Sequence, residues 1–209
     1  SLNGKLKDML RQKEENNLKK QEVYNWLKTV TVPASRGIET SRELQAAMQS
    51  CEDILQLCQK YLSYLESLPS SEKKEIEEQL LDLSSTAKTR LTVLQNSFNY
   101  YETFKDLSGN ENRWLSELEA KLDLWSKPSA DAEEISAKLD ELESFLREHT
   151  TTECQLDDVT DKLLQQGIMT VTVQNSQHTT QTRRKNLLGR SEAMQRELEA
   201  ASASAQECE

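Results

Sequence analysis

Residues 112–125 of this chain read NRWLSELEAKLDLW. The large apolar residues of this stretch, Trp114, Leu115, Leu118, Leu122 and Trp125, recur every three or four positions, which is the spacing of one face of an α-helix. The residues between them are mostly charged or polar. The stretch therefore predicts an amphipathic helix that turns two tryptophans toward a partner helix.

The same periodicity extends over most of the chain. Between Ile38 and Leu68 it forms an uninterrupted heptad seam of Leu44, Met48, Cys51, Leu55, Cys58, Leu62 and Leu65. Prolines or glycines interrupt the periodic segments, and the residue before a proline is pushed out of the helical region. The pattern predicts helices at residues 5–32, 38–68, 71–107, 112–125, 130–166 and 170–203.

The helix-breaking residues repeat along the chain. Pro33 and Pro128 are 95 residues apart, and Pro69 and Gly167 are 98 residues apart. This period predicts two units of three helices each, at residues 1–108 and 109–209. At the junction, Ser108 to Glu111 fits a capping box that would start a new helix. The alternative, which we favour, is a helix that continues through the junction with a kink.

Polar residues occupy several positions of the predicted core in the second unit. The seam of the last helix reads Val173, Gln177, Thr180, Arg184, Leu187, Ser191, Met194, Leu198 and Ala201, so we expect this helix to be the most loosely packed. His149 also falls on a seam. We interpret it as a core or boundary residue because no second metal ligand accompanies it.

Composition limits the classes of function. The 209 residues are 35% hydrophobic and 30% charged, whereas average domains are about 45–50% apolar and about 25% charged. This balance predicts thin helical bundles without a large substrate pocket. The net charge of −10 disfavours nucleic acid and anionic lipid as partners. No apolar run has the length of a membrane span, so we expect no membrane insertion.

The four cysteines are Cys51, Cys58, Cys154 and Cys208. Seven residues of helix span about 10.5 Å, beyond the roughly 7 Å that a disulfide bridges, so Cys51 and Cys58 do not pair within one helix. We expect both to be buried as small hydrophobic residues. The wide spacing of the cysteines and the lack of a signal-peptide pattern lead us to expect a reducing compartment that faces the cytoplasm.

The sequence contains no recognisable catalytic constellation. Its two histidines, His149 and His178, fall on different predicted helices, and Gly-rich loops, Cys-x-x-Cys, His-Glu-x-x-His and Glu-x-x-His patterns do not occur. Acidic pairs such as 133–134 and 157–158 have the pattern of solvated faces. The expectation is a non-enzyme with no catalytic, cofactor-binding or metal-binding residues and no cofactor. The partner-binding residues are unknown.

Trp114-Leu115, followed by Leu118 and Leu122 with Glu119 between them, resembles the first helix of a spectrin repeat. Trp26-Leu27 is a weaker match, one heptad out of register. Nearly the whole chain resembles two tandem repeats of the divergent kind found in giant cytoskeletal linkers such as nesprins, dystrophin relatives and plakins. The resemblance implies an all-α fold of two tandem three-helix, left-handed coiled-coil bundles that form an elongated rod.

The resemblance also implies a function. It is that of a structural spacer and protein-docking module, monomeric rather than dimeric, in a linker between cytoskeleton or membrane complexes. Implied partners are actin-associated cytoskeletal proteins, membrane-complex proteins and neighbouring repeats. The implied location is the cytoplasm and cytoskeleton, at a membrane or at the cytoplasmic face of the nuclear envelope.

Two other functions are compatible with a helical chain. One is a self-associating or hetero-associating scaffold for a signalling complex, in which the sparse first helix and the polar sixth helix complete their packing with a partner. The other is a membrane-shaping dimer of the BAR type. The acidic balance of the chain argues against that last possibility, because such a dimer needs a basic concave face.

Overall fold

The computed structural model describes residues 1–129, 131–149 and 152–208. These residues form six α-helices and no strand, which confirms the all-α class. The helices are α1 (Leu2–Thr29), α2 (Ser41–Leu65), α3 (Ser70–Trp125), α4 (Ala132–Arg147), α5 (Thr152–Gln166) and α6 (Thr170–Glu207).

The chain divides into two compact units, Ser1–Phe98 and Asn99–Glu209. The boundary falls inside α3, and the boundary predicted at residue 108 lies further along the same helix. Residues 71–107 and 112–125 belong to one helix of 56 residues, so the favoured continuation of the helix through the junction is confirmed. The capping box is not formed, because Ser108 and Glu111 are buried inside α3 and do not start a helix.

Three helices contribute to the core of unit 1. Val23 comes from α1, four residues from α2, Leu68 from the turn after α2 and three residues from α3, and the buried set is Val23, Ile54, Cys58, Tyr61, Leu65, Leu68, Ile76, Leu80 and Ala87. The Trp26 ring meets Tyr61 edge-on at 5.1 Å between centroids. Only the second half of α1 takes part, since residues 1–15 are all exposed.

The buried face of α2 differs from the predicted seam. The predicted seam residues Leu44, Cys51, Cys58 and Leu65 are buried, whereas Met48, Leu55 and Leu62 are only partly buried. The fully buried residues beside them are Ala47, Ile54 and Tyr61. A helix that packs against two neighbours buries a stripe about 100° wide, so the positions next to a strict heptad seam also enter the core.

The start of α2 shows local capping. The Thr40 side chain accepts a hydrogen bond from the Glu43 amide at 3.1 Å, and Glu43 accepts one from the Glu39 amide at 2.8 Å. These bonds satisfy amides that have no partner within a first helical turn. The helix therefore begins at Ser41, three residues after the predicted start.

The helix predicted at 130–166 is wrong as a continuous element. The structure has α4, a turn at Glu148 and His149, and then α5. Threonine occupies positions 150–152 and is a weaker helix former than leucine or alanine. Ala130, Thr150 and Thr151 lie outside the described residues, so the predicted first residue of this helix does too.

Gly167, named above as a helix-breaking residue, lies in the turn directly after α5. Gly167 has a φ of +68°, and the Ile168 amide donates to the Leu163 carbonyl at 3.4 Å, which is the hydrogen bond of a Schellman cap. Met169 is also left-handed, with a φ of +58°. Both Ile168 and Met169 are fully buried, and this burial holds the unusual backbone in place.

No helix in the described parts of the chain combines the length and the apolar composition that crossing a bilayer requires.

Candidate functional site: a buried carboxylate between helices

A glutamate occupies the core of unit 2. In this unit the buried seam of α3 steps by three or four residues through Phe104, Ser108, Glu111, Leu115, Leu118, Leu122 and Trp125. Glu111 therefore stands at a position that leucine fills one heptad later, and its side chain is completely buried. A buried carboxylate is destabilising by several kcal/mol unless it is paired and hydrogen-bonded.

Both oxygens of Glu111 have partners on other segments of unit 2. Arg184 of α6 donates from Nε at 2.7 Å and from Nη2 to Oε1, and the ring Nε2 of His149 contacts Oε2. Arg184 also donates from Nη1 to Glu153 of α5 at 2.6 Å. These four residues, the Glu111 network, join α3, the turn after α4, α5 and α6.

An aromatic stack covers one side of the network. The His149 ring lies parallel to the Trp114 ring, with 3.7 Å between centroids and 6° between planes. Trp114 is also parallel to Phe145, at 5.4 Å and 5°. Stacking orients the His149 ring, so that its Nε2 points at the carboxylate. Trp114, the first residue of the Trp-Leu pair, thus supports the network directly.

Apolar packing continues along the seam below the network. Leu115, Leu118, Leu122, Trp125, Leu142 and Leu187 form one buried cluster. The Trp125 indole N–H donates to Glu141 of α4 at 3.3 Å. Unit 2 is therefore held by a leucine core that carries one charged layer.

Exposed charge pairs flank this core between α3 and α6. Arg183 donates to Glu119 at 3.1 Å and Arg190 donates to Asp123 at 2.8 Å. The side chains of the Arg190 pair are 45% and 66% exposed, and pairs of this kind contribute about 0–1 kcal/mol each. Their role is to favour one register of α6 on α3, since a shift would separate each arginine from its acid.

The geometry of the network suits a clamp between helices. Both carboxylate oxygens of Glu111 are paired with Arg184 or His149. A groove of about 370 Å³ is lined in part by these two partner residues. Among the described residues, no cluster of three His, Cys, Asp or Glu side chains could hold a metal ion.

No family model, curated protein or solved structure matches this chain. The function is therefore inferred from the residues of the chain itself.

The sequence placed His149 at the core boundary, and its side chain is 19% exposed in the structure. The prediction did not identify its partner Glu111, which lies 38 residues earlier. One signal was present in the sequence: extending the heptad frame backward from Leu115 reaches Glu111 and Ser108. His178 is exposed and lies outside the network, and the acidic pairs at 133–134 and 157–158 are exposed as expected.

The two buried cysteines do not form a reactive site. Cys51 and Cys58 are buried, as predicted, and Cys154 and Cys208 are exposed, all four as free thiols. Burial raises the pKa of both Cys51 and Cys58. A raised pKa keeps a thiol protonated near neutral pH, and the protonated form is a poor nucleophile.

Proposed function

We propose that this chain is a pair of tandem spectrin-repeat-like bundles and serves as a non-enzymatic spacer and protein-docking module of a large cytoskeletal or membrane-to-cytoskeleton linker. One observation carries the proposal. Helix α3 is continuous over 56 residues, about 84 Å at 1.5 Å per residue, and it supplies buried residues to both units.

A shared helix is a suitable connection for a load-bearing spacer. Buried residues of α3 occur on both sides of the unit boundary, with Leu94 and Ser97 before it and Phe104 and Ser108 after it. Because α3 is helical through the boundary, the connection has the regular hydrogen bonds of a helix instead of a loop. Tension along the chain would pass through those hydrogen bonds.

The residues that carry the family resemblance support the same proposal. Leu115, Leu118 and Leu122 are fully buried in unit 2, and Trp114 packs beside them. In unit 1, Trp26 packs on Tyr61. Each unit thus uses a Trp-Leu pair in its first helix. Unit 2 fits a three-helix repeat when α4 and α5 are counted as one interrupted second helix.

The proposed partners follow the function. They are cytoskeletal or membrane-complex proteins and neighbouring repeats, and the proposed location is the cytoplasm and cytoskeleton. The Glu111 network supports a structural role, because its charged groups pair with one another and connect four segments of unit 2. A non-enzymatic role is part of the proposal.

Small-angle X-ray scattering with in-line chromatography and mass determination tests this function. The expected particle is a monomer of 24.0 kDa with a maximum dimension on the order of 100 Å. Gly109→Pro, which removes a helical hydrogen bond and clashes with the preceding turn, should broaden the distance distribution. Gly109→Ala is the matched control and should leave the curve unchanged. A compact particle, or identical curves for both variants, would contradict the proposal.

A second function, a helical scaffold that assembles a signalling complex, is favoured by one observation. The first half of α1 exposes several large apolar side chains, namely Leu2, Leu6, Met9 and Leu10. In that role the exposed half would complete its packing on another protein. A dimer in the mass measurement would favour the self-associating form of this scaffold.

A further inference from the structure

Helix α1 carries an exposed apolar stripe, here called the α1 stripe, made of Leu2, Leu6, Met9 and Leu10. These side chains are between 50% and 79% exposed. At 100° per residue they fall in a sector about 100° wide, which is the width of the stripe that a helix normally buries. Isolated exposed leucines need no explanation, but an aligned set marks an interaction surface.

The α1 stripe continues an interface that is already formed in unit 1. Heptad steps from Leu2 lead to Val23, and heptad steps from Leu6 lead along the same side of the helix to Lys20 and Leu27. Val23 is completely buried and Leu27 packs against the unit-1 core, while Lys20 pairs with Glu72 at 3.4 Å. The side of α1 that contacts helices in its second half is therefore the side that is apolar and exposed in its first half. This continuity indicates that the occupant of the stripe is also a helix.

The charges around the α1 stripe indicate which kind of helix would bind it. Residues 1–20 contain six Lys or Arg and three Asp or Glu, although the whole chain has a net charge of −10. Lys13 lies within the sector of the stripe, and Lys5 and Glu14 flank it on either side, whereas Asp8 and Glu15 lie on the opposite side. A partner helix would meet Lys13 within its contact surface and Lys5 at one edge, and acidic residues of the partner would pair with these two lysines.

We propose that the α1 stripe docks an acidic amphipathic helix of another protein, one whose apolar stripe is bordered by glutamate or aspartate. This inference rests on the proposed docking function and names the chemistry of the partner. Two copies of the chain paired through this stripe would place Lys5 and Lys13 near their equivalents, which is unfavourable. An anionic bilayer would be repelled by the acidic remainder of the chain, and the stripe has no aromatic anchor for it.

Fluorescence anisotropy with the full chain and a labelled peptide tests the proposal. The probe is a synthetic helix of about three heptads with leucine at positions a and d and glutamate at e and g, and the matched peptide has lysine in place of glutamate. The glutamate peptide should bind and the lysine peptide should not. In Lys5→Glu/Lys13→Glu the preference should reverse. Equal binding of the two peptides, or no binding of either, would overturn the proposal.

Variants assign the binding to the stripe. Leu6→Ser/Met9→Ser should raise the Kd of the glutamate peptide by about tenfold or more, since two apolar contacts are lost. The control, Leu81→Ser/Leu124→Ser, changes two exposed leucines of α3 and should leave the Kd unchanged. Because all four residues are exposed, circular dichroism should report unchanged helicity. Equal effects of the two pairs would refute the assignment.

Two further measurements separate the other occupants. A dimer that Leu6→Ser/Met9→Ser abolishes would assign the stripe to a second copy and overturn the proposal. Binding to phosphatidylserine-containing vesicles that is lost in the same variant would assign it to a membrane, and would overturn it too. Failure of peptide binding is distinct from failure of the spacer function, because the scattering test measures particle dimensions and does not involve the stripe.

Discussion

Removing the cation of the Glu111 network should destabilise the protein far more than removing an exposed cation. In Arg184→Met the carboxylate loses both hydrogen bonds to Oε1 and keeps only His149 on Oε2. Breaking a buried ion pair from one side costs about 3–5 kcal/mol. The groove beside Arg184 lets water approach the orphaned oxygen, so we expect a loss of about 3 kcal/mol, the lower end of that range.

A double substitution tests whether the loss comes from the unpaired charge. Replacing both members of a buried ion pair by apolar residues is often neutral or stabilising. Arg184→Met/Glu111→Leu should therefore recover most of the stability lost in Arg184→Met and unfold within about 1 kcal/mol of the parent protein. The two substitutions would then be strongly non-additive, as expected for groups in direct contact.

The assay is urea unfolding followed by circular dichroism, with stability extrapolated to water. The control is Arg190→Met, which breaks the exposed pair with Asp123 between the same two helices and should cost less than about 1 kcal/mol. If Arg184→Met cost no more than Arg190→Met, the inference that Glu111 is a desolvated charge dependent on Arg184 would be refuted. A double variant as unstable as Arg184→Met would also contradict it.

Other predictions concern glycines and thiols. Gly109→Ala should raise the free energy of unfolding by about 0.5–1 kcal/mol, because Gly109 is inside α3 and an added Cβ would meet open space. Gly167→Ala should lower the free energy of unfolding by about 1–2 kcal/mol, because the backbone of Gly167 is left-handed. Thermal unfolding of the two variants tests both predictions. Iodoacetamide should label Cys154 readily but Cys51 and Cys58 only after unfolding, as peptide mass spectrometry can show. Since burial raises the pKa of both buried thiols, their contribution to stability is complete below the ordinary thiol pKa of about 8.5 and is lost as the pH rises through the raised values. Rapid labelling in the folded protein would contradict their burial.

The helical class could be predicted because it depends on local information. Each heptad run reports its own buried face, and the seam predicted for α6 is buried or half-buried at every position from Val173 to Ala201. Prolines and Gly167 act on the backbone of their immediate neighbours, so the turns near them were also predictable. The burial of Cys51 and Cys58 followed from the same periodicity.

The sequence by itself thus determined which segments are helical and the general direction of their apolar faces, because periodicity and backbone restriction act over a few residues. Tertiary structure alone decided that Tyr61 takes a core place predicted for Leu62 and that Glu111 is buried at all. Each of those outcomes depends on a neighbour far away in sequence. A glutamate at a core position is stable only where an arginine 73 residues later folds back to meet it.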